Sequence, residues 1–264
     1  MVAEDLIDLN NFKKAAKNFG KEGPFDHVII DDFFKPEIAD KLAQEFPDFE
    51  SEAWHKYNNA IEVKKVCNNW NVFPELTYQA FAFFNSPEFL ALLEKEVVPG
   101  TKLYSDAGLN GGGWHIHRRG GKLNTHLDYS LHPKLGKQRK LNIIVYMNPN
   151  WKEQWGGSLG LWGNESADEP GDLVRSVWSK FNRAVIFDTT QNSWHGLPDP
   201  LVCPEDEYRK SMAAYFLCDP PENVDRRGKA LFAPTEQQKG NAEVLDLIRK
   251  RSSVATAAEV YKSE

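Results

Sequence analysis

The chain opens with apolar residues at helical spacing. Leu6, Leu9, Phe12, Ala16 and Phe19 predict a short amphipathic helix, ended by Gly20 and Gly23-Pro24. HVIIDDFF (27–34) reads as a strand. Pro36 starts a helix at its first turn, where a missing N–H is no loss; Ala39, Leu42, Ala43 and Phe46 face the core and Pro47 ends it. Residues 48–72 are polar and irregular, with IEVKKV (61–66) as a candidate strand. Pro74 opens a helical run to Phe84, and Ser86-Pro87-Glu88 caps a helix from Pro87 to about Val97.

From about Thr101 the pattern changes to short strands and glycine turns, the mark of an all-β core. LNTHLDYS (123–130), LNIIVYM (141–147), SLGLW (158–162), RAVIFD (183–188) and RKSMAAYFL (209–217) are strand candidates. Along LNIIVYM, Asn142, Ile144 and Tyr146 fall on one face. Residues 163–180 are polar and acidic and read as a surface loop. Asp219-Pro220-Pro221 reads as a linker. A helix with Val244, Leu245, Leu247 and Ile248 follows Thr235-Glu236, and the last dozen residues are expected to fray. The expected fold is mainly β with flanking helices: a double-stranded β-helix, the jelly roll also used by cupins, braced by N-terminal helices. Residues 1–100 would support the core, 101–218 form it, and 219–264 add a linker and helix, in one domain overall. The barrel mouth is the natural ligand pocket.

With 264 residues, 41% hydrophobic and 12% aromatic, the chain can bury a sizeable core. Its net charge of −6 disfavours nucleic acid as the main partner, because phosphate contact needs a basic face. The basic patch Lys137 to Lys140 reads as a solvated loop. Cys67, Cys203 and Cys218 lack metal-site spacing and read as free thiols. The first residues show no basic region leading into an apolar core, and no apolar run approaches membrane length. A soluble, cytoplasmic protein is the expectation. Oligomeric state is not legible.

The chemistry concentrates in three short stretches. His126 and Asp128 stand two residues apart in an extended segment, so both side chains can reach one metal. His195 follows a strong strand candidate and a polar turn. Two imidazoles and a carboxylate can hold a metal on one face and leave the other open, the set used by non-haem Fe(II) oxygenases. Arg209 and Ser211 share one face of a later strand. Together a planar guanidinium and a hydroxyl can grip a carboxylate.

These stretches resemble the Fe(II)/2-oxoglutarate-dependent oxygenases, in particular the prolyl-4-hydroxylase-like branch. The likeness runs from about residue 24 to 218, through GPFDHVIIDDFFKPEIADKLAQEFP, NTHLDYS, KLNIIVYMNPNW, GGSLGLW, NRAVIFDTTQNSWHG and YRKSMAAYFL. It implies that His126, Asp128 and His195 ligate Fe(II), and that Arg209, assisted by Ser211, binds the far carboxylate of 2-oxoglutarate. Asn142, Tyr146 and Asn124 are further cosubstrate candidates, with Asn142 and Tyr146 alternatively a polar core pair. The implied reaction is hydroxylation of an unactivated C–H with release of succinate and CO2, using O2, and with ascorbate as a supporting reductant. It is iron-centred, with no separate acid or base. Relatives often carry Lys where Arg209 stands and Tyr where Leu123 stands. That departure points away from protein-bound proline and towards a small polar substrate such as an amino acid, sugar or biosynthetic intermediate. The glycine-rich segment from Leu109 to Gly121, with Trp114, His115, His117, Arg118 and Arg119, is the expected substrate contact. A peptidyl, prolyl-type hydroxylase is the alternative. A non-redox cupin-like sugar-binding or isomerase module ranks lower, because it needs no oxoacid anchor, and nucleic-acid demethylation lower still.

Overall fold

The fold rests on alternation along its longest strands. In the computed structural model, which describes residues 3–166, 168–257 and 260, the chain begins with α1 (Ala3–Leu6), α2 (Leu9–Ala16), β1 (His27–Ile30) and α3 (Pro36–Gln44). Then come β2 (His55–Asn58), β3 (Glu62–Cys67), α4 (Glu75–Phe84) and α5 (Pro87–Glu96). Seven short or medium strands follow: β4 (Tyr104–Ser105), β5 (Gly113–His117), β6 (Lys122–Leu123), β7 (His126–Leu127), β8 (Gln138–Tyr146), β9 (Leu159–Asn164) and β10 (Pro170–Val177). The chain continues with β11 (Ala184–Asp188), β12 (His195–Gly196), β13 (Arg209–Cys218), β14 (Leu231–Phe232) and α6 (Ala242–Arg251).

The strands form two antiparallel sheets. The major sheet runs β1-β11-β8-β13-β5-β3-β2, with β4 on β13 and β6 on β3; the minor sheet runs β10-β9-β12-β7-β14. This is the expected jelly roll with flanking helices. Leu141, Ile143 and Val145 of β8, Met212, Ala214 and Phe216 of β13, and Trp114 and Ile116 of β5 point to the helices. There they join Phe33, Phe34, Phe81, Phe84 and Phe89 in the largest core cluster. Each such aromatic side chain contributes about 1.5–3 kcal/mol by leaving water. The intervening residues of the same strands point between the sheets: Asn142, Ile144, Ser211, Ala213, Tyr215, His115 and His117 all line one cavity.

Several expectations change. The first helix divides in two, because Asp8 leaves helical geometry and accepts hydrogen bonds from the Asn10 and Asn11 N–H groups. Residues 163–180 are no loop; most of them belong to the β9–β10 hairpin. The C-terminal helix starts at Ala242 with Asn241 as its cap, after a single 3₁₀ turn at Glu236–Gln238. The expected fraying falls partly on residues 258, 259 and 261–264, outside the described residues. Cys67, Cys203 and Cys218 are free and buried. No helix among the described residues is long and apolar enough to cross a membrane.

The glycine run is also reassigned. Gly113 has φ +93°, and a Cβ there would lie 2.1 Å from the Cys67 carbonyl oxygen. Its lack of a side chain serves close approach between β5 and β3 rather than mobility. Gly113→Ala is expected to lose about 2 kcal/mol or more of stability, through strain and strand separation. Urea denaturation followed by tryptophan fluorescence measures it.

Candidate metal centre

The minor sheet builds the centre. β7 and β12 pair antiparallel with His126 directly opposite His195, so both imidazoles leave the sheet on the same side. Their ring centroids are 4.3 Å apart. The pairing needs Gly196, where a Cβ would sit 2.9 Å from the carbonyl oxygens of both Leu123 and Asn124. Asp128 lies just beyond the end of β7 and turns back to the pair. Its carboxylate oxygens are 3.8 Å from His126 Nε2 and 3.9 Å from His195 Nε2. Among the described residues this is the one group of three or more His, Cys, Asp or Glu side chains with metal-binding spacing.

The backbone selects the tautomers. His126 Nδ1 lies 2.9 Å from the Asn124 carbonyl, and His195 Nδ1 lies 2.8 Å from the Ser193 carbonyl. A carbonyl only accepts, so each Nδ1 carries the proton and each Nε2 lone pair faces Asp128. Burial pushes the His126 imidazole down to about 3, and burial lowers His195 as well. Asp128 falls to about 2: the adjacent Arg139 and the two imidazoles outweigh the burial that opposes ionisation. Neutral imidazoles beside an ionised carboxylate are the protonation states a divalent metal requires, so the donor set fits one. Phe232 stacks 5.1 Å from His126 and Phe187 packs 4.8 Å from His195, walling the rings with apolar groups.

Arg209 supplies a second fixed feature. It is 4% exposed, lies opposite His117 across β13 and β5, and lines the same cavity, of about 250 Å³. Its Nε donates to the Gly157 carbonyl at 2.6 Å, and its guanidinium lies 5.0 Å from the Tyr146 ring centroid. Among the described residues no carboxylate pairs with it. A buried cation without an anion carries a desolvation penalty of several kcal/mol, and burial lowers the Arg209 pKa accordingly. Ser211, two residues along, faces the same cavity. This site fits the far carboxylate of a dicarboxylate held at the metal.

The remaining candidates divide. Asn142 reaches Asp128, its Nδ2 3.5 Å from the carboxylate. His115 and His117 line the cavity. Asn124 does not: its side chain donates to the Ala233 carbonyl at 3.0 Å and to Gln238 at 2.6 Å, tying the C-terminal segment to the sheet. Trp114 is 1% exposed and packs on Phe46 and Phe73, because alternation sends it to the helix side. Arg118 lies over Phe49 outside the metal cavity. Arg119 donates to the carbonyls of Val202 and Cys203.

Arg139 belongs to the patch read from sequence as solvated, yet it is 2% exposed. Its guanidinium lies between the rings of Tyr129 and Tyr215, at 3.4 and 3.3 Å, and pairs with Asp128 at 3.3 Å. Simple alternation from Leu141 would send Arg139 to the helices. A register shift between Phe216 and Leu217 of β13 turns it into the cavity instead. No sequence signal marks that shift. Lys64, Glu62, Lys229 and Arg251 also reach the cavity wall and carry no sequence motif.

Comparison with known proteins agrees with this arrangement. Residues 112–217 match the family model described as the 2OG-Fe(II) oxygenase superfamily. A stretch of 91 residues is 31% identical to prolyl 3-hydroxylase OGFOD1 of Xenopus laevis, covering 33% of this chain and 17% of that protein. The mouse protein of the same name is 28% identical over 78 residues, covering 30% and 14%. The chain thus matches less than a fifth of the length of these curated relatives. Among solved structures, a Pseudomonas putida prolyl-4-hydroxylase superposes with a TM-score of 0.55 at 14% identity, covering 79% of this chain and 99% of that one. A Trichoplax adhaerens prolyl hydroxylase, solved with a hypoxia inducible factor peptide, superposes at 0.54 and 16% identity, covering 80% and 88%. At these identities the structural likeness concerns the fold.

Two outcomes are expected. Arg209→Ala should raise the 2-oxoglutarate concentration needed for half-saturation at least about tenfold, the worth of a lost charge-assisted pair. Calorimetric Mn(II) affinity should barely change. For the metal-free protein, His126 and His195 are depressed when folded, so between their unfolded pKa and the folded value the unfolded chain binds more protons. Stability is therefore full above about pH 6.5 and drains as pH falls, down to about 3 for His126, by up to about 1.4 kcal/mol per pH unit for each histidine while it titrates. Urea midpoints measured from pH 8 to 4 check it.

Proposed function

Because residues 112–217 match the 2OG-Fe(II) oxygenase superfamily model, we propose that this chain hydroxylates an unactivated C–H on a residue presented by a peptide, in the manner of a prolyl-type hydroxylase. Enzymes of this class use Fe(II), 2-oxoglutarate and O2. The observation that carries the reading is the convergence in one cavity of His126, Asp128 and His195 with the buried Arg209, which pairs with no carboxylate among the described residues. Such an anchor has no use in a sugar-binding or isomerising cupin. The curated relatives and two of the solved neighbours are named as prolyl hydroxylases, which favours a peptidyl substrate over the small molecule expected from Leu123.

His126, Asp128 and His195 would hold the iron. When bound, iron and cosubstrate supply the oxidising power: 2-oxoglutarate and O2 become succinate and CO2, and the second oxygen atom enters the C–H as hydroxyl. The chain's part is positional. Arg209 and Ser211 would fix the far end of the oxoacid, so that its near end meets the open face of the metal. The tyrosine-flanked Arg139 holds the Asp128 carboxylate in orientation. Ile144, Leu159 and Leu197 line the cavity with apolar surface and limit water around the reacting C–H.

A second reading, hydroxylation of a free small molecule, is favoured by one feature. The segment from Gly228 to Phe232, with Arg251 of α6, covers one side of the cavity and narrows it to a pocket. A single experiment separates the two. The anaerobic Fe(II) protein should show a weak visible charge-transfer band on adding 2-oxoglutarate. In air it should release succinate above background with prolyl peptides but not with free proline, other amino acids or sugars. Absence of the band together with absence of calorimetric 2-oxoglutarate binding would remove the oxygenase reading. Release with free amino acids alone would select the small-molecule one.

A further inference from the structure

Arg209 springs from the major sheet, yet its guanidinium is tied to the minor one. Its Nε donates to the Gly157 carbonyl at 2.6 Å, and Gly157 leads into β9. β9 in turn pairs with β12, Leu161 opposite the metal-ligand candidate His195. The clamp on the arginine and the metal centre thus belong to one sheet. Their separation follows from strand geometry rather than from the flexible arginine stem. The bond to Gly157 uses the only N–H of that stem. Both terminal nitrogens stay available, and together they can meet a carboxylate with two parallel bonds. A lysine stem carries no N–H, so this clamp is available to arginine alone.

Gly157 fits this task in two ways. Its φ of +76° lies in the left-handed region, where a side chain is strained. A Cβ there would sit 2.6 Å from Arg209 Cδ and 3.1 Å from its Nε, so the arginine stem occupies the space a side chain would fill. Trp151 holds the turn from the other side. Its indole N–H donates to the Gly156 carbonyl at 3.0 Å, and its Cζ2 lies 3.5 Å from where the Gly157 Cβ would be. Trp151 is buried, meets Trp155 edge-on at 5.4 Å, and packs in one cluster with Leu197, Leu201 and Cys203. Arg209 lines the cavity; Gly157 and Trp151 are not among the residues that do.

We infer that Gly157, held by Trp151, is a positioning residue that fixes the Arg209 fork at one span from the metal ligands and so selects the length of the oxodiacid. The inference rests on the oxygenase reading, which puts the near end of that acid at the metal. A free cation on a long stem would follow dicarboxylates of several lengths. A clamped one meets a single length without further ordering, and a longer acid has to bend or leave the fork.

The test titrates the anaerobic Fe(II) protein with three acids: 2-oxoglutarate, its longer homologue 2-oxoadipate, and 2-oxopentanoate, which has a methyl group where 2-oxoglutarate has its far carboxylate. The visible charge-transfer band reports binding without turnover. The wild-type protein should prefer 2-oxoglutarate to each of the others at least about tenfold. In Gly157→Ala the half-saturating 2-oxoglutarate concentration should rise at least about tenfold, while that of 2-oxopentanoate changes less than about twofold. The margin over 2-oxoadipate should shrink with it. Added to Arg209→Ala, the same substitution should change nothing further, because it acts through that side chain. Trp151→Phe keeps the ring packing and loses the indole N–H, and should raise the 2-oxoglutarate requirement about threefold. Melting temperature and Mn(II) affinity report that each variant folds; if Gly157→Ala does not, Trp151→Phe decides by the same criteria. Unchanged 2-oxoglutarate binding, an equal loss for 2-oxopentanoate, or a further loss in the Arg209→Ala background overturns the inference and leaves the oxygenase reading standing. A wild-type protein that binds all three acids alike removes the anchor role of Arg209, and the inference with it. One that binds none removes the oxygenase reading as well.

Discussion

The cross-strand pairing of His126 with His195 is the constraint on which the rest of the site depends. Two residues opposite each other in an antiparallel ladder project to the same side, so one hydrogen-bonded register aligns both imidazoles. Everything else at the centre is an adjustment to that pair. Backbone carbonyls turn the rings, Gly196 lets the strands approach, and Asp128 closes the set from the end of β7. A slip of one residue would send one imidazole to the far face of the sheet.

Burial then decides the charges. Enclosure favours neutral imidazoles, and the same enclosure would favour a protonated Asp128 were it not for Arg139. The tyrosine rings on both sides of Arg139 compensate part of its own desolvation through cation–π contact. Among the described residues Arg209 has no such ionic partner, which is why it reads as half of a binding site rather than as structure. The helices enter indirectly. Their aromatic cluster holds the outer face of the major sheet, and so the inner face can carry polar and charged groups.

The two sheets contribute unlike things to the cavity. The minor sheet brings the metal ligands. The major sheet brings a floor that passes from Arg209 through His117 to Lys64. The C-terminal segment, tied down by Asn124 and by the Glu62–Arg251 pair, covers one side.

Local spacing in the sequence was enough for the strand-rich core, for the helices at Pro36, Pro74 and Pro87, and for the convergence of His126, Asp128, His195, Arg209 and Ser211. Each of these depends on a period of two, on proline and cap chemistry, or on residue types that have one common use together. Spacing could not place Asn124, Arg118 or Arg119, whose surroundings are set by neighbours distant in the chain; Trp114, by contrast, follows from its alternation with His115 and His117. Nor could it find Arg139, which faces the cavity because a register shift against β13, with Lys140 as the extra residue on Arg139's own strand, reverses the alternation. Lys64, Lys229 and Arg251 come together across almost the whole length of the chain. Ordinary surface residues in sequence, they become one charged wall only when β3 and the C-terminal helix meet over the same opening, because electrostatic proximity follows from the folded path and not from order along it.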